Sequence, residues 1–216
     1  MKGLTEKDIR IIFDSLATLM NENKQWLIEL DGAMGDGDLG LTMSTGFAAA
    51  AEALHDFAEN DIGKILAQAG MVIARTVPST MGTLMATGLM KAGKAVQGKR
   101  EIMLEDFARL MEAFVEGIMA RGKAKPGDKT IIDALYPAVL ALKSSVEKDQ
   151  SLTKGLTDAY RAAERGAAET KRMVSQHGRA AYYQEKSLDK QDPGATVGML
   201  LMKAFAEYAE SKKLSE

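Results

Sequence analysis

Apolar side chains recur along this chain at intervals of three and four, the spacing of a helix face. Ile9, Ile12, Phe13, Leu16, Leu19 and Met20 form the first such row. Thr5 stands ahead of it with Asp8 three residues on, the spacing of a capping box. A short segment around Trp26, Leu27 and Leu30 then leads into a stretch of aspartate and glycine. Beyond that stretch the pattern predicts a helix over about 41–57, then one capped by Asp61 that buries Ile62, Ile65, Leu66, Ala69 and Ile73. Pro78 and Gly82 break the pattern within 76–83, and a glycine-punctuated helix follows to about Val96. Phe107, Leu110, Met111, Phe114 and Ile118 mark another, ending near Gly122. Ile132, Leu135, Val139 and Leu142 continue as a helix in which Pro137 is a candidate bend. A long helix is expected over about 152–175, and the last carries Val197, Leu200, Leu201, Ala204, Phe205 and Tyr208. No alternating strand pattern of useful length appears. The reading is one all-α domain over 1–216, with about eight helices joined mostly by short loops, so that neighbours run antiparallel.

Composition narrows the function. The chain has 216 residues, 46% of them hydrophobic, which is enough for one substantial core. A formal net charge of −2 with no basic cluster argues against a nucleic-acid partner. Cysteine is absent, which excludes disulfides, thiolate metal sites and cysteine nucleophiles. The start, "MKGLTEKDIR", turns charged at once, and no uncharged run reaches membrane-spanning length. The expectation is a soluble, cytoplasmic protein with no membrane partner.

Four loops are richer in glycine and polar residues than connections require: 31–40, 77–83, 122–130 and 177–194. In the first, "DGAMGDGDLG", Asp31, Asp36 and Asp38 crowd together among four glycines. Like charges this close raise one another's pKa unless a cation intervenes. Carboxylate oxygens suit Mg²⁺, which leaves other positions to water and phosphate, and a helix start beside them offers free N–H groups. The competing reading is a solvated acidic turn in which Asp38 or Thr42 caps the helix. A calcium-binding EF-hand does not fit, because the twelfth position of its loop falls on Thr42 or Phe47 rather than glutamate. "PSTMGT" and "DPGAT" are two further helix starts, and three such starts can converge on one anion. Arg179 is a candidate for bidentate phosphate binding. Lys129 reads as a solvated residue near a helix start, His55 as surface, and His177 as a weak candidate for site work. Neither a P-loop nor a Rossmann glycine pattern is present.

"DGAMGDGDLG", "STMGTLM", "KPGDKTIIDAL" and "GRAAYYQEKSLDKQDPGAT" occur in this order over nearly the whole chain. Together they resemble the nucleotide-binding L subunit of dihydroxyacetone kinases, the same domain that forms the C-terminal half of the single-chain enzymes. The resemblance implies an antiparallel barrel of eight amphipathic helices with the nucleotide in the loops at one end. It implies two Mg²⁺ ions held by Asp31, Asp36 and Asp38, and ADP or ATP as the nucleotide. Leu39, Gly40, Leu41 and Thr42 would approach the phosphates, Thr80 and Met81 would sit at the nucleotide, and Gly122 and Ile131 near the base. Arg179 with Asp192, Pro193 and Gly194 would close the pocket. The keto-sugar, dihydroxyacetone or a relative such as erythrulose, would be held by a separate K subunit. The phosphoryl donor would be either exchanging ATP or a phosphohistidine subunit of the phosphotransferase system that recharges retained ADP. A homodimer is expected. Two residues depart from the family pattern: Leu39 replaces an expected histidine, and Met81 an expected hydroxyl residue. The competing functions are a non-catalytic, nucleotide-dependent regulator and a helical lipid carrier.

Overall fold

The computed structural model describes residues 3–212, so the first two residues of the charged N-terminal stretch and the last four of the expected domain lie outside it. Nine α-helices are described: α1 (Glu6–Glu22), α2 (Lys24–Gly32), α3 (Leu39–His55), α4 (Ile62–Thr76), α5 (Thr80–Ala95), α6 (Leu104–Gly122), α7 (Ile132–Glu147), α8 (Leu152–Glu169) and α9 (Pro193–Lys212). Two antiparallel strands, β1 (Leu4–Thr5) and β2 (Glu101–Ile102), are too short to leave an alternating signature.

The helices begin where local chemistry supplies an acceptor. Thr5 and Asp8 form the reciprocal capping box, with the Thr5 N–H donating to Asp8 Oδ2 at 2.8 Å. Asp61 Oδ1 accepts from the Gly63 N–H at 2.8 Å, and Ser79 Oγ from the Gly82 N–H at 3.0 Å. Every apolar residue assigned to the first row is buried in α1.

Each long helix packs on the next, and the ring closes where α9 meets α1. Eight helices therefore form the wall, while α2 is a short brace packed on α3. The wall encloses one continuous apolar core. A gap in it, bordered by Phe13, Phe47, Met85, Phe114 and Phe205, measures about 30 Å³.

Three boundaries differ from the sequence reading. The segment around Trp26 is a helix of its own and carries Asp31 in its last turn. The helix after the aspartates starts at Leu39 rather than 41. The long helix stops at Glu169 and gives way to a 3-10 turn, Thr170–Arg172, not reaching 175. Pro137 lies inside α7 and deprives the Asp133 carbonyl of its helical donor. Helix α8 approaches that carbonyl at Gly166, where an added Cβ would lie 2.1 Å from the oxygen. Only glycine permits the approach.

Alternation around the ring puts the starts of α3, α5, α7 and α9 at the same end as the four polar loops. The sequence reading gathered three helix starts; the fold gathers four.

Candidate metal and nucleotide site

The first connection turns back on itself through Gly37, whose φ of +73° lies in the left-handed region. That turn brings Asp31, Asp36 and Asp38 together, so that one carboxylate oxygen from each lies within 4.8 Å of the others. Asp38 occupies the N-cap position of α3, but its side chain makes no cap bond. Asp31 accepts the Leu39 N–H instead, at 3.2 Å through Oδ2. Neither Asp38 nor Thr42 therefore caps α3 through its side chain, and the Asp38 carboxylate stays free to face its neighbours. Gly35 makes the room: a Cβ there would stand 2.4 Å from Asp31 Oδ1. Partial burial, then the charges of Asp36 and Asp31, raise the Asp38 pKa, and Arg179 opposes them. A carboxylate raised by its neighbours' charge is one that a divalent cation would relieve. The donor set is all oxygen and half open to solvent, which fits Mg²⁺ better than zinc.

The cluster borders a cleft of about 350 Å³. Its wall is built from the four helix starts: Leu39 of α3, Ser79 to Met81 of α5, Thr130 and Ile131 of α7, and Asp192 to Gly194 of α9. Such starts present unpaired N–H groups and the positive end of the helix dipole, which together favour a polyanion. Among the described residues the Thr80, Met81 and Ile131 N–H groups meet no protein acceptor. Met34, Leu84 and Ala180 add apolar surface.

Eleven of the residues singled out from the sequence share this cleft: Asp31, Asp36, Asp38, Leu39, Thr80, Met81, Ile131, Arg179, Asp192, Pro193 and Gly194. Gly40, Leu41, Thr42 and Gly122 do not line it. Gly40 is where α3 presses on α2, with a Cβ position 2.2 Å from the Lys24 carbonyl oxygen. Leu41 points outward at 52% exposure, and Thr42 is buried with its N–H on the Asp38 carbonyl at 2.9 Å. Gly122 backs the wall: its Cβ would meet Leu84 Cδ2 at 3.2 Å.

Sequence reasoning passed over Met34, Leu84, Thr130, Gly178 and Ala180, all of which line the cleft. Met34 carried a signal, being an apolar residue inside a loop of aspartate and glycine. Lys129 is a correction. It is 2% exposed rather than solvated, and burial pulls its pKa below the usual lysine value while Asp192 opposes. His177 also lines the cleft, with Nε2 3.0 Å from Asp128 Oδ2. Asp128 sits below the usual carboxylate range: burial pushes it up, but the Lys125 N–H and His177 outweigh burial. His55 is on the surface as expected, paired with Asp14. Asp192 is buried, caps α9 through the Ala195 N–H at 2.7 Å, and has its pKa pushed up to about 7 by burial.

No helix among the described residues is long and apolar enough to cross a membrane. Comparison with known proteins agrees with the architecture. Residues 33–207 match the DAK2 domain. Over 192 residues the chain is 37% identical to the PEP-dependent dihydroxyacetone kinase, ADP-binding subunit DhaL, of Escherichia coli, covering 89% of this chain and 91% of that one. The crystal structure of the dihydroxyacetone kinase of C. freundii in its native form superposes with a TM-score of 0.74 at 26% identity. That match takes in 92% of this chain but only 34% of the longer polypeptide. The same kinase in complex with AMP-PNP and Mg²⁺ gives a TM-score of 0.70 at 28% identity, over 92% of this chain and 33% of that one. With a domain match across most of its length and a relative this similar end to end, the chain belongs to the DAK2-domain family.

Proposed function

We propose that this chain is the nucleotide-binding subunit of a dihydroxyacetone kinase-type phosphotransferase. In this reading it binds Mg²⁺ with ADP or ATP and passes a phosphoryl group to a small keto-sugar held by a separate K subunit. The observation that carries the reading is the meeting of three carboxylates within 4.8 Å with four helix starts in one cleft. Asp31, Asp36 and Asp38 would hold two Mg²⁺ ions. When bound, the ions would neutralise the phosphate oxygens, which is most of what phosphoryl transfer asks of a catalyst.

The chain's own groups supply the rest. Free N–H groups of Thr80, Met81 and Ile131 are donors for phosphate oxygens. Arg179 offers a planar cation beside the aspartates. Leu84, Ile131 and Pro193 supply apolar wall for a base and ribose. Met81 provides a donor only through its backbone, which makes the missing hydroxyl at this position less costly. His55 does not line this cleft, and His177, which does, has its Nε2 engaged with Asp128, in keeping with a keto-sugar site on a partner. Dihydroxyacetone or a relative such as erythrulose is the acceptor, and a phosphohistidine subunit or ATP the donor.

Titration calorimetry with ADP tests the reading directly. Binding should require Mg²⁺, and Asp36→Asn or Asp38→Asn should weaken it at least about tenfold while circular dichroism stays helical. Binding of ADP that ignores Mg²⁺, or that survives both substitutions, would overturn it. With a K subunit, keto-sugar and a phosphoryl donor added, sugar phosphate should form; nucleotide binding without any product would favour the regulatory alternative.

A further inference from the structure

Among the described residues no charged side chain is less exposed than Lys129, at 2%. It stands in the α6–α7 connection with a left-handed φ of +61°. Its Nζ donates to the carbonyl oxygens of Met173 at 3.2 Å, Ser187 at 2.5 Å and Lys190 at 2.7 Å. An ammonium has three N–H donors, and all three are used. Although Lys129 borders the cleft, it therefore has none left for a phosphate.

The three carbonyls belong to one strap, residues 173–190, between α8 and α9. Within it only Ser175 and Ser187 are buried, and no apolar residue of the strap joins the core. Polar anchors must then fix its position. The neighbouring Asp128 supplies two more: its carbonyl accepts the Gln176 N–H at 3.1 Å, and its carboxylate meets His177. Between these anchors the strap carries Arg179, whose Nη2 lies 2.9 Å from Asp36 Oδ2.

We propose that Lys129 is a positioning residue: its ammonium takes the place of a monovalent cation among three carbonyls, fastens the strap, and thereby sets Arg179 on the aspartate cluster. Three carbonyl oxygens converging on one positive centre is the arrangement that would otherwise hold a potassium or ammonium ion. A charge built into the chain does the same work without depending on ions in solution. The consequence for nucleotide binding rests on the function proposed above; the clasp itself does not.

Lys129→Met keeps the stem and removes the donors. Hydrogen exchange of strap amides should rise about tenfold or more, with α1, α4 and α5 unchanged. Mg²⁺–ADP affinity should fall about tenfold, as for other residues that act through a ligating group. In an Arg179→Ala background the same substitution should cost no further affinity, because both changes remove one effect. Methylammonium added to Lys129→Ala should restore strap protection, and this rescue also serves if Lys129→Met does not fold. Unchanged strap exchange in Lys129→Met, or failure of the amine to restore protection, overturns the clasp. Affinity losses that add in the double variant overturn its action through Arg179. Should wild-type protein not bind ADP at all, the nucleotide reading fails while the exchange experiment still decides the clasp.

Discussion

Arg179 Nη2 lies 2.9 Å from Asp36 Oδ2, although the two residues are far apart in sequence and the arginine side chain is 69% exposed. The pair is exposed, so by itself it adds little stability. Its meaning is electrostatic: Arg179 is the cation that faces a cluster whose members repel one another.

That relationship gives a prediction with two opposite signs. Arg179→Ala removes a charge that competes with a metal ion, so Mg²⁺ alone should bind a few-fold more tightly. In the proposed reading Arg179 also contacts a phosphate, so ADP in saturating Mg²⁺ should bind this variant about tenfold more weakly. Calorimetry of the two ligands separately reads both; affinities that move in the same direction would show that Arg179 does not serve the two roles.

Gly122 lies outside the cleft yet sets the position of Leu84, since a Cβ there would press on Leu84 Cδ2 at 3.2 Å. Gly122→Ala should lower ADP affinity several-fold by moving Leu84 inward. Because alanine favours helix by roughly 0.5–1 kcal/mol over glycine, the melting temperature should hold or rise. A binding titration and a thermal melt on one sample separate the two effects.

Asp192 gives the molecule a pH signature. Burial pushes its pKa up to about 7, so between the unfolded value near 4 and about 7 the folded protein holds a proton that the unfolded chain releases. The sign is that stability contributed by this group is full below the unfolded value and falls as pH rises through about 7. Asp192→Asn keeps a cap acceptor for the Ala195 N–H and cannot ionise. Its melting temperature should therefore decline less than that of the wild type between pH 4.5 and 7.5, and scanning calorimetry of the pair isolates the difference.

At the opposite end, Tyr208 of α9 donates its hydroxyl to Asp8 of α1, joining the two helices that close the ring. Burial, followed by the Asp8 carboxylate, raises the Tyr208 pKa, so the hydroxyl stays protonated as donor. Tyr208→Phe should cost about 1.5–3 kcal/mol, the range for a hydrogen bond to a charged group. Urea unfolding measures the loss, and ADP affinity should not change, since Asp8 starts α1 at the end away from the cleft.

The start and buried face of helix α1 are legible in the sequence, because its capping box and apolar row are both local. Helix α8 was read too long, because its alanines and Val174 keep the period after the chain has turned into a 3-10 step. The aspartate loop announced a site through its own charge density. The role of Lys129 was hidden: "GDKT" looks like any solvated turn, and the carbonyls that surround its ammonium come 44 to 61 residues later.

The sequence by itself determined most of the long helices, the one apolar core and the family, since period, caps and motif order act over a few residues or are read directly. Only the tertiary structure decided that four helix starts face one cleft, that Asp31 rather than Asp38 caps α3, and that Gly122 stands behind the wall. It also decided that a buried ammonium holds the strap. These depend on distances between residues remote along the chain, which are set when the ring closes and the apolar faces find one another.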